Sequence, residues 1–172
     1  MAQAEPRLWD LTAAHRDAIL HDWLTLTFRT YPEQTSRFLH RDQDPFRNPV
    51  GRVLGDGLPV LLDELTGAFD QDRVAPVVES IVRIRAVQDF TPSQAVGFFF
   101  FLKQIIRERR LDSVEPPAAL FRRIDELALM AFDSYMRCRE LTYEIKANEA
   151  KRRLFVSERM ASGKAGSSSR GN

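Results

Sequence analysis

The sequence predicts an all-α bundle of about six helices with a long C-terminal helix, and three observations lead there. Apolar residues recur at helical spacing through most of the 172 residues. Strand signals are scarce: no sustained period-2 alternation occurs, and no Asn-Gly or Asp-Gly turn joins β-branched runs. Helix-start signals recur at regular intervals, the sharpest being Thr91-Pro92-Ser93-Gln94. There Thr91 caps, Pro92 suits the first turn and Gln94 completes a capping box.

The first helix is expected from Thr12, its N-cap, with Ala18, Ile19, Trp23 and Leu26 on one face and Leu20, Leu24 and Phe28 on the adjoining one. It stops near Tyr31-Pro32. Pro32 opens a short second helix through Phe38 and Leu39, which the segment 42–49 breaks. A third follows Asn48 as cap and Pro49 as first helical residue, carrying Val53, Leu58, Leu61, Leu62 and Leu65. Gly51, Gly55, Gly57 and Pro59 weaken it, which implies either a close backbone approach to a neighbour or an irregular first half. A fourth helix is expected from Asp72 to Asp89 and a fifth after Thr91. After Pro116-Pro117 a last one runs from Ala118 to Met160, about 65 Å at 1.5 Å per residue and longer than a domain of this size is wide. Residues 1–160 are thus expected to form one helical sensor or interaction domain. The polar end GKAGSSSRGN, within 161–172, is expected to be a disordered tail.

Composition narrows the function. Lys plus Arg number 25 and Asp plus Glu 24, so no bulk field favours nucleic acid or an anionic membrane. The longest apolar stretch, Ala95 to Leu102, is far short of a membrane span, and the N-terminus has no secretory pattern. One cysteine, Cys138, excludes an intrachain disulfide and a cysteine-based zinc cluster, and suits a cytoplasmic setting. None of the common phosphate, dinucleotide, zinc-protease or hydrolase signatures occurs, so no catalytic residue is nominated and no enzyme is expected. The three histidines, His15, His21 and His40, lie in the first quarter. Two of them are six residues apart on one helix and point in different directions, so no metal site is expected. A globin-type proximal histidine would have to come from residues 41–172, which contain none, so no haem or other cofactor is expected.

Two features stand out. In the fourth helix, Val74, Val77, Val78, Ile81 and Ile84 form an apolar face with Arg85 near its centre, Gln88 beside it and Asp89 on its flank. Burying a guanidinium is costly unless it is paired. One reading makes this an internal ion pair with Asp89 that fixes helix packing; the other makes Arg85, Gln88 and Asp89 a ligand-binding pocket for a small anion or carboxylate. In the fifth helix Phe98-Phe99-Phe100-Phe101 covers most of the circumference. Phe100 and Val96 fall among Lys103, Gln104 and Arg107, either as an exposed contact patch or under the last helix. That last helix carries one stripe of Ile124, Leu127, Ala131, Tyr135, Cys138, Thr142 and Ile145, and a second of Leu129, Phe132, Met136 and Tyr143. Beyond Ile145 only Phe155, Val156 and Met160 are apolar points in a polar run, as in a stalk or a pairing helix. Val96, Phe100, Phe155 and Val156 are the interface candidates.

Three segments, YPEQTSRFLHRDQDPFRNPVG, VESIVRIRAVQDFTPSQAVGFFFFLK and RIDELALMAFDSYMRCRELTYEIKANEAKRR, together resemble the N-terminal domain of RsbT co-antagonist, RsbR-type, regulators over about residues 10 to 155. The resemblance implies a globin-like helical fold without haem, acting in stress signalling as a dimeric sensory module of the stressosome. In such proteins a projecting helix leads to a STAS domain, and here a free-standing domain without STAS is expected. The leading expectation is therefore a regulatory homodimer with a partner protein. The rival is a globin-like protein holding a small ligand near Arg85.

Overall fold

The structure, a computed structural model, describes residues 9, 12–41, 48–88, 90–109 and 117–168, excepting the side chains of His40, 156–158 and 160–168. Among the described residues there are six helices and no strand: α1 (Ala13–Phe28), α2 (Glu33–Arg41), α3 (Pro49–Thr66), α4 (Gln71–Val87), α5 (Pro92–Arg109) and α6 (Ala118–Ser168). This is the expected all-α architecture, compatible with a globin-like arrangement. The chain divides into two units, Met1–Met136 and Arg137–Asn172.

The caps fall where the sequence places them. The Thr12 hydroxyl accepts from the His15 N–H, and the Asn48 side chain accepts from the Gly51 N–H at 2.7 Å. At α5, Thr91 and Gln94 bond reciprocally, each side chain accepting from the other's backbone N–H. Each such cap satisfies an otherwise orphaned helix-terminal donor and stabilises by about 1 kcal/mol.

In the first unit, α1 packs on α5 and α3, and α3 on α4. Ile19 and Trp23 of α1, five leucines of α3 (Leu54, Leu58, Leu61, Leu62, Leu65), and Phe98, Phe99 and Leu102 of α5 are essentially inaccessible. Each contributes about 1.5–3 kcal/mol of burial. The Trp23 indole N–H donates to the Phe98 carbonyl at 2.8 Å, locking α1 to α5. Outside this core, Arg16 forks onto Asp63 at 2.7 and 2.8 Å, and Arg109 meets Asp22. Such exposed pairs fix register more than they stabilise.

Helix α3 is regular despite its glycines, and the close-approach alternative is the one realised. A Cβ on Gly57 would stand 3.0 Å from Ile81 Cδ1 and 3.1 Å from Val77 Cγ1, so glycine lets α4 in. At the far end of α3, the Arg123 guanidinium of α6 donates to the Leu65 and Gly67 carbonyls at 3.0 and 2.6 Å, while the Trp9 N–H reaches the Thr66 carbonyl. The terminal carbonyls of α3 are capped from two directions.

On α6, Ile124, Leu127, Ala131 and Tyr135 are buried as expected, and Leu120 with them, but the stripe stops there. Cys138 and Thr142 are only half-buried and Ile145 is exposed, so packing ends about three turns before the expected point. The helix itself runs on to Ser168, past the expected Met160. The second unit is a helical segment held by local pairs: the Arg139 guanidinium donates to the Tyr143 hydroxyl, and the Thr142 hydroxyl to the Cys138 carbonyl. No helix among the described residues is long and apolar enough to cross a membrane.

Candidate functional site

The least ordinary place in the protein is the surroundings of Arg85. Helical periodicity places its Cα on the inner face of α4, and its side chain is completely buried there, between Ile81, Val82 and Ala86 on its own helix and α5 and the turn after α1 opposite. Three rings enclose the guanidinium, with Phe90 at 4.2 Å, Phe98 at 4.9 Å and Tyr31 at 5.1 Å from its carbon. Tyr31 and Phe90 meet edge to face at 5.0 Å, so they form a continuous aromatic wall.

Only Nη2 has oxygen partners. It donates to the Thr30 hydroxyl at 2.8 Å and to the Gln94 carbonyl at 3.0 Å. The Thr30 hydroxyl in turn donates a hydrogen bond to the Thr27 carbonyl at 2.7 Å, so the cation is connected to the C-terminal, negative end of α1. Arg85 Nε and Nη1 and the Tyr31 hydroxyl are buried with no hydrogen-bond partner. Among the described residues no carboxylate pairs with this arginine; its two oxygen partners are a hydroxyl and a backbone carbonyl.

The electrostatic effect runs in opposite directions for the two groups. Burial lowers the Arg85 pKa from its ordinary value, and the facing Tyr31 oxygen restores part of it. Burial raises the Tyr31 pKa, and the neighbouring positive charge pulls it partly back. The Tyr31 oxygen thus faces the guanidinium closely enough for charge and a marginal hydrogen-bond contact to shift both groups, although neither it nor Arg85 Nε or Nη1 reaches a partner in full hydrogen-bond geometry.

The nominated ligand residues part company here. Arg85 is internal as expected, but Gln88 is the exposed C-cap of α4, its backbone N–H bonded to the Ile84 and Arg85 carbonyls. Asp89 lies outside the described residues. Thr30, Tyr31, Phe90, Phe98 and the Gln94 carbonyl take the places around the guanidinium, and none is within four residues of it in sequence. The Thr30-Tyr31 pair at the end of α1 carries no helical-spacing signal that would link it to α4.

Among the hollows lined by described residues, two lie elsewhere on the surface and neither is lined by Arg85. One, of about 370 Å³, runs between α3 and α4 beside Arg52, Asp56, Pro76 and Ser80; the other, of about 120 Å³, lies beside His21, Leu24 and Pro59. Among the described residues no group of three or more His, Cys, Asp or Glu is placed to hold a metal ion.

The interface candidates also separate. Val96 is buried, because α5 turns it toward the core beside Ala95 and Phe99, and it leaves the exposed patch. Phe100 is 44% exposed, with the Lys103 ammonium 5.7 Å from its ring centre. Phe155 is exposed in the second unit, with the Arg159 guanidinium against it, and the side chain of Val156 lies outside the described residues. The sequence had named Leu129, Phe132 and Met136 only as a second stripe, and these are 67%, 41% and 38% exposed.

Lys103 pairs with Asp125, and the Tyr135 hydroxyl donates to the Phe90 carbonyl, so the first-unit part of α6 runs antiparallel to α5. Phe100 is one turn before Lys103 and Leu129 one turn after Asp125, which puts both at one level of the same α5–α6 surface.

Residues 17–149 match the family model described as the RsbT co-antagonist protein rsbRD N-terminal domain. The chain belongs to this family. The matched stretch contains all of α2 to α5, the Arg85 surroundings and the exposed stripe of α6, so membership of the rsbRD N-terminal domain family rests on the folded body rather than on a short motif. No curated protein and no solved structure matches the chain. An rsbRD-type N-terminal domain is a regulatory, sensor-type domain, and the chain is read in that class.

Proposed function

We propose that the chain is a non-enzymatic regulatory domain that pairs with a second copy of itself through the α5–α6 surface and passes a signal to a partner protein in a stress-response pathway. One observation supports the pairing: Phe100, Leu129, Phe132 and Met136, on two helices joined by the Lys103–Asp125 pair, are exposed large apolar side chains. Leaving them there forgoes about 25 cal/mol for each Å² that a partner would cover. The Lys103–Asp125 pair gives this apolar strip a polar margin, the arrangement of interface centre and rim. A twofold contact presents the same strip from both copies, and antiparallel α6 helices would set Leu129 and Phe132 against their own equivalents. A half-buried lone thiol, Cys138, accords with a reducing cytoplasm.

Light scattering on the purified chain is expected to give the mass of a dimer, and Leu129→Glu with Phe132→Glu a folded monomer. A monomeric wild type would overturn the reading. A double variant that remains dimeric would move the interface away from α6.

A further inference from the structure

We propose that the enclosure around Arg85 is a binding site for one small anion of halide, nitrate or acetate size. The unmet hydrogen-bonding capacity there is chiefly donor capacity: one N–H on Nε, two on Nη1, and the Tyr31 O–H, all buried and unpartnered. Of the acceptors close to the guanidinium, the Thr30 hydroxyl and the Gln94 carbonyl already receive Nη2, and the Tyr31 oxygen, which also faces it, stands outside full hydrogen-bond geometry. A water molecule would accept one or two of the vacant donors, yet it would bring hydrogens of its own and leave the charge uncompensated. An anion accepts from all of them and neutralises a cation that no described carboxylate neutralises.

The enclosure also limits the size of any guest. Three rings lie 4.2 to 5.1 Å from the guanidinium carbon and the residue is wholly inaccessible, which excludes a phosphorylated metabolite or a peptide side chain. Of the three rings, only Phe90 belongs to a residue that is not fully buried, so it is the one whose movement would admit the anion. Its backbone carbonyl is held by Tyr135 of α6, so occupancy and the position of α6 share a residue. The proposal does not depend on the pairing surface.

The test is the melting temperature of the intact chain in sodium chloride, nitrate or acetate against sodium gluconate at equal ionic strength. Gluconate is too large to enter. Wild type is expected to melt higher in the small anions by a few degrees, saturably with concentration. Arg85→Met should lose that difference and Tyr31→Phe should diminish it. Chloride NMR line widths on wild type give a second reading independent of any variant's folding: broadening that acetate reverses is expected. Equal anion responses in wild type and Arg85→Met, or chloride lines that the protein leaves unbroadened, would overturn the proposal. So would an anion effect that emerges only in Asp89→Asn, which would assign the place to an internal carboxylate.

Discussion

At the scale of single residues, Arg85 shows how far helical periodicity reaches. Counting at 100° per residue puts it on the apolar face of α4, and there it is, fully buried. Its oxygen partners and enclosing rings, however, come from the turn after α1, from α5 and from the turn between α4 and α5. The Arg85 to Thr30 bond spans 55 residues, a pairing no local spacing encodes. The local rule that nominates an i+4 carboxylate and a neighbouring glutamine is a rule for solvated helix faces. In a bundle interior, groups from other helices lie nearer, and Gln88 caps its own helix instead.

The lack of a paired carboxylate sets the expected mutational pattern. Arg85→Ala leaves a void between three rings and should cost about 2–5 kcal/mol. Arg85→Met fills the void without the charge and should stay within about 1.5 kcal/mol of wild type in gluconate. Arg83→Ala, on the exposed side with only Glu79 as partner, should change stability by no more than ~0.5 kcal/mol. Urea melts of the three variants check the order. An Arg85→Ala as mild as Arg83→Ala would contradict the burial.

Tyr31 gives a pH signature. Its folded pKa lies above the ordinary value near 10, so the folded chain holds the phenol proton more tightly than the unfolded chain does. That contribution is complete below about pH 10 and is lost as the pH rises beyond it, where the unfolded chain ionises first. Tyr31→Phe has no proton to lose and removes a buried hydroxyl that has no partner. In gluconate at neutral pH it should therefore be neutral or stabilising by about 1 kcal/mol, with a flatter loss of stability above pH 10 in denaturant melts.

At the scale of helices, the caps and starts were the most legible features, because a capping residue acts on N–H groups two or three positions away and needs nothing distant. The glycines of α3 were legible only as an alternative, since whether a missing Cβ matters depends on what stands opposite. Gly57 faces Ile81 and Val77 at contact, whereas a Cβ on Gly55 would meet nothing within 4 Å. Gly57→Ala should push α4 away and cost about 1–3 kcal/mol, while Gly55→Ala should stabilise by about 0.5–1 kcal/mol. Thermal melts of the two variants should move in opposite directions. Helix α6 was read with its packed stripe too long because Cys138, Thr142 and Ile145 keep the phase of the buried stripe. Phase tells which way a residue points and not whether anything stands there to receive it.

At the scale of the molecule, the segment after Ile145 is expected to be dispensable for folding. Leu154 and Phe155 are exposed, and the bonds from Arg139 to Tyr143 and from Thr142 to Cys138 stay within the helix. A chain ending at Lys146 should melt within a degree or two of the full chain while losing capture of the partner protein. A drop of many degrees would mean that the removed part carries core contacts.

The bond from the Tyr135 hydroxyl to the Phe90 carbonyl has a thermodynamic corollary. One end of it lies on the helix that bears the exposed strip, the other on the backbone carbonyl of the residue whose ring closes over Arg85. Anything that alters the position of α6 relative to Phe90 when copies associate must change the free energy of filling the enclosure, and reciprocity then requires the filled enclosure to change the dimerisation constant by the same factor. Tyr135→Phe cuts this bond while leaving both sites intact. In that variant the dissociation constant of the dimer should no longer depend on which anion is in the buffer, even though the dimer still forms and the anion still binds.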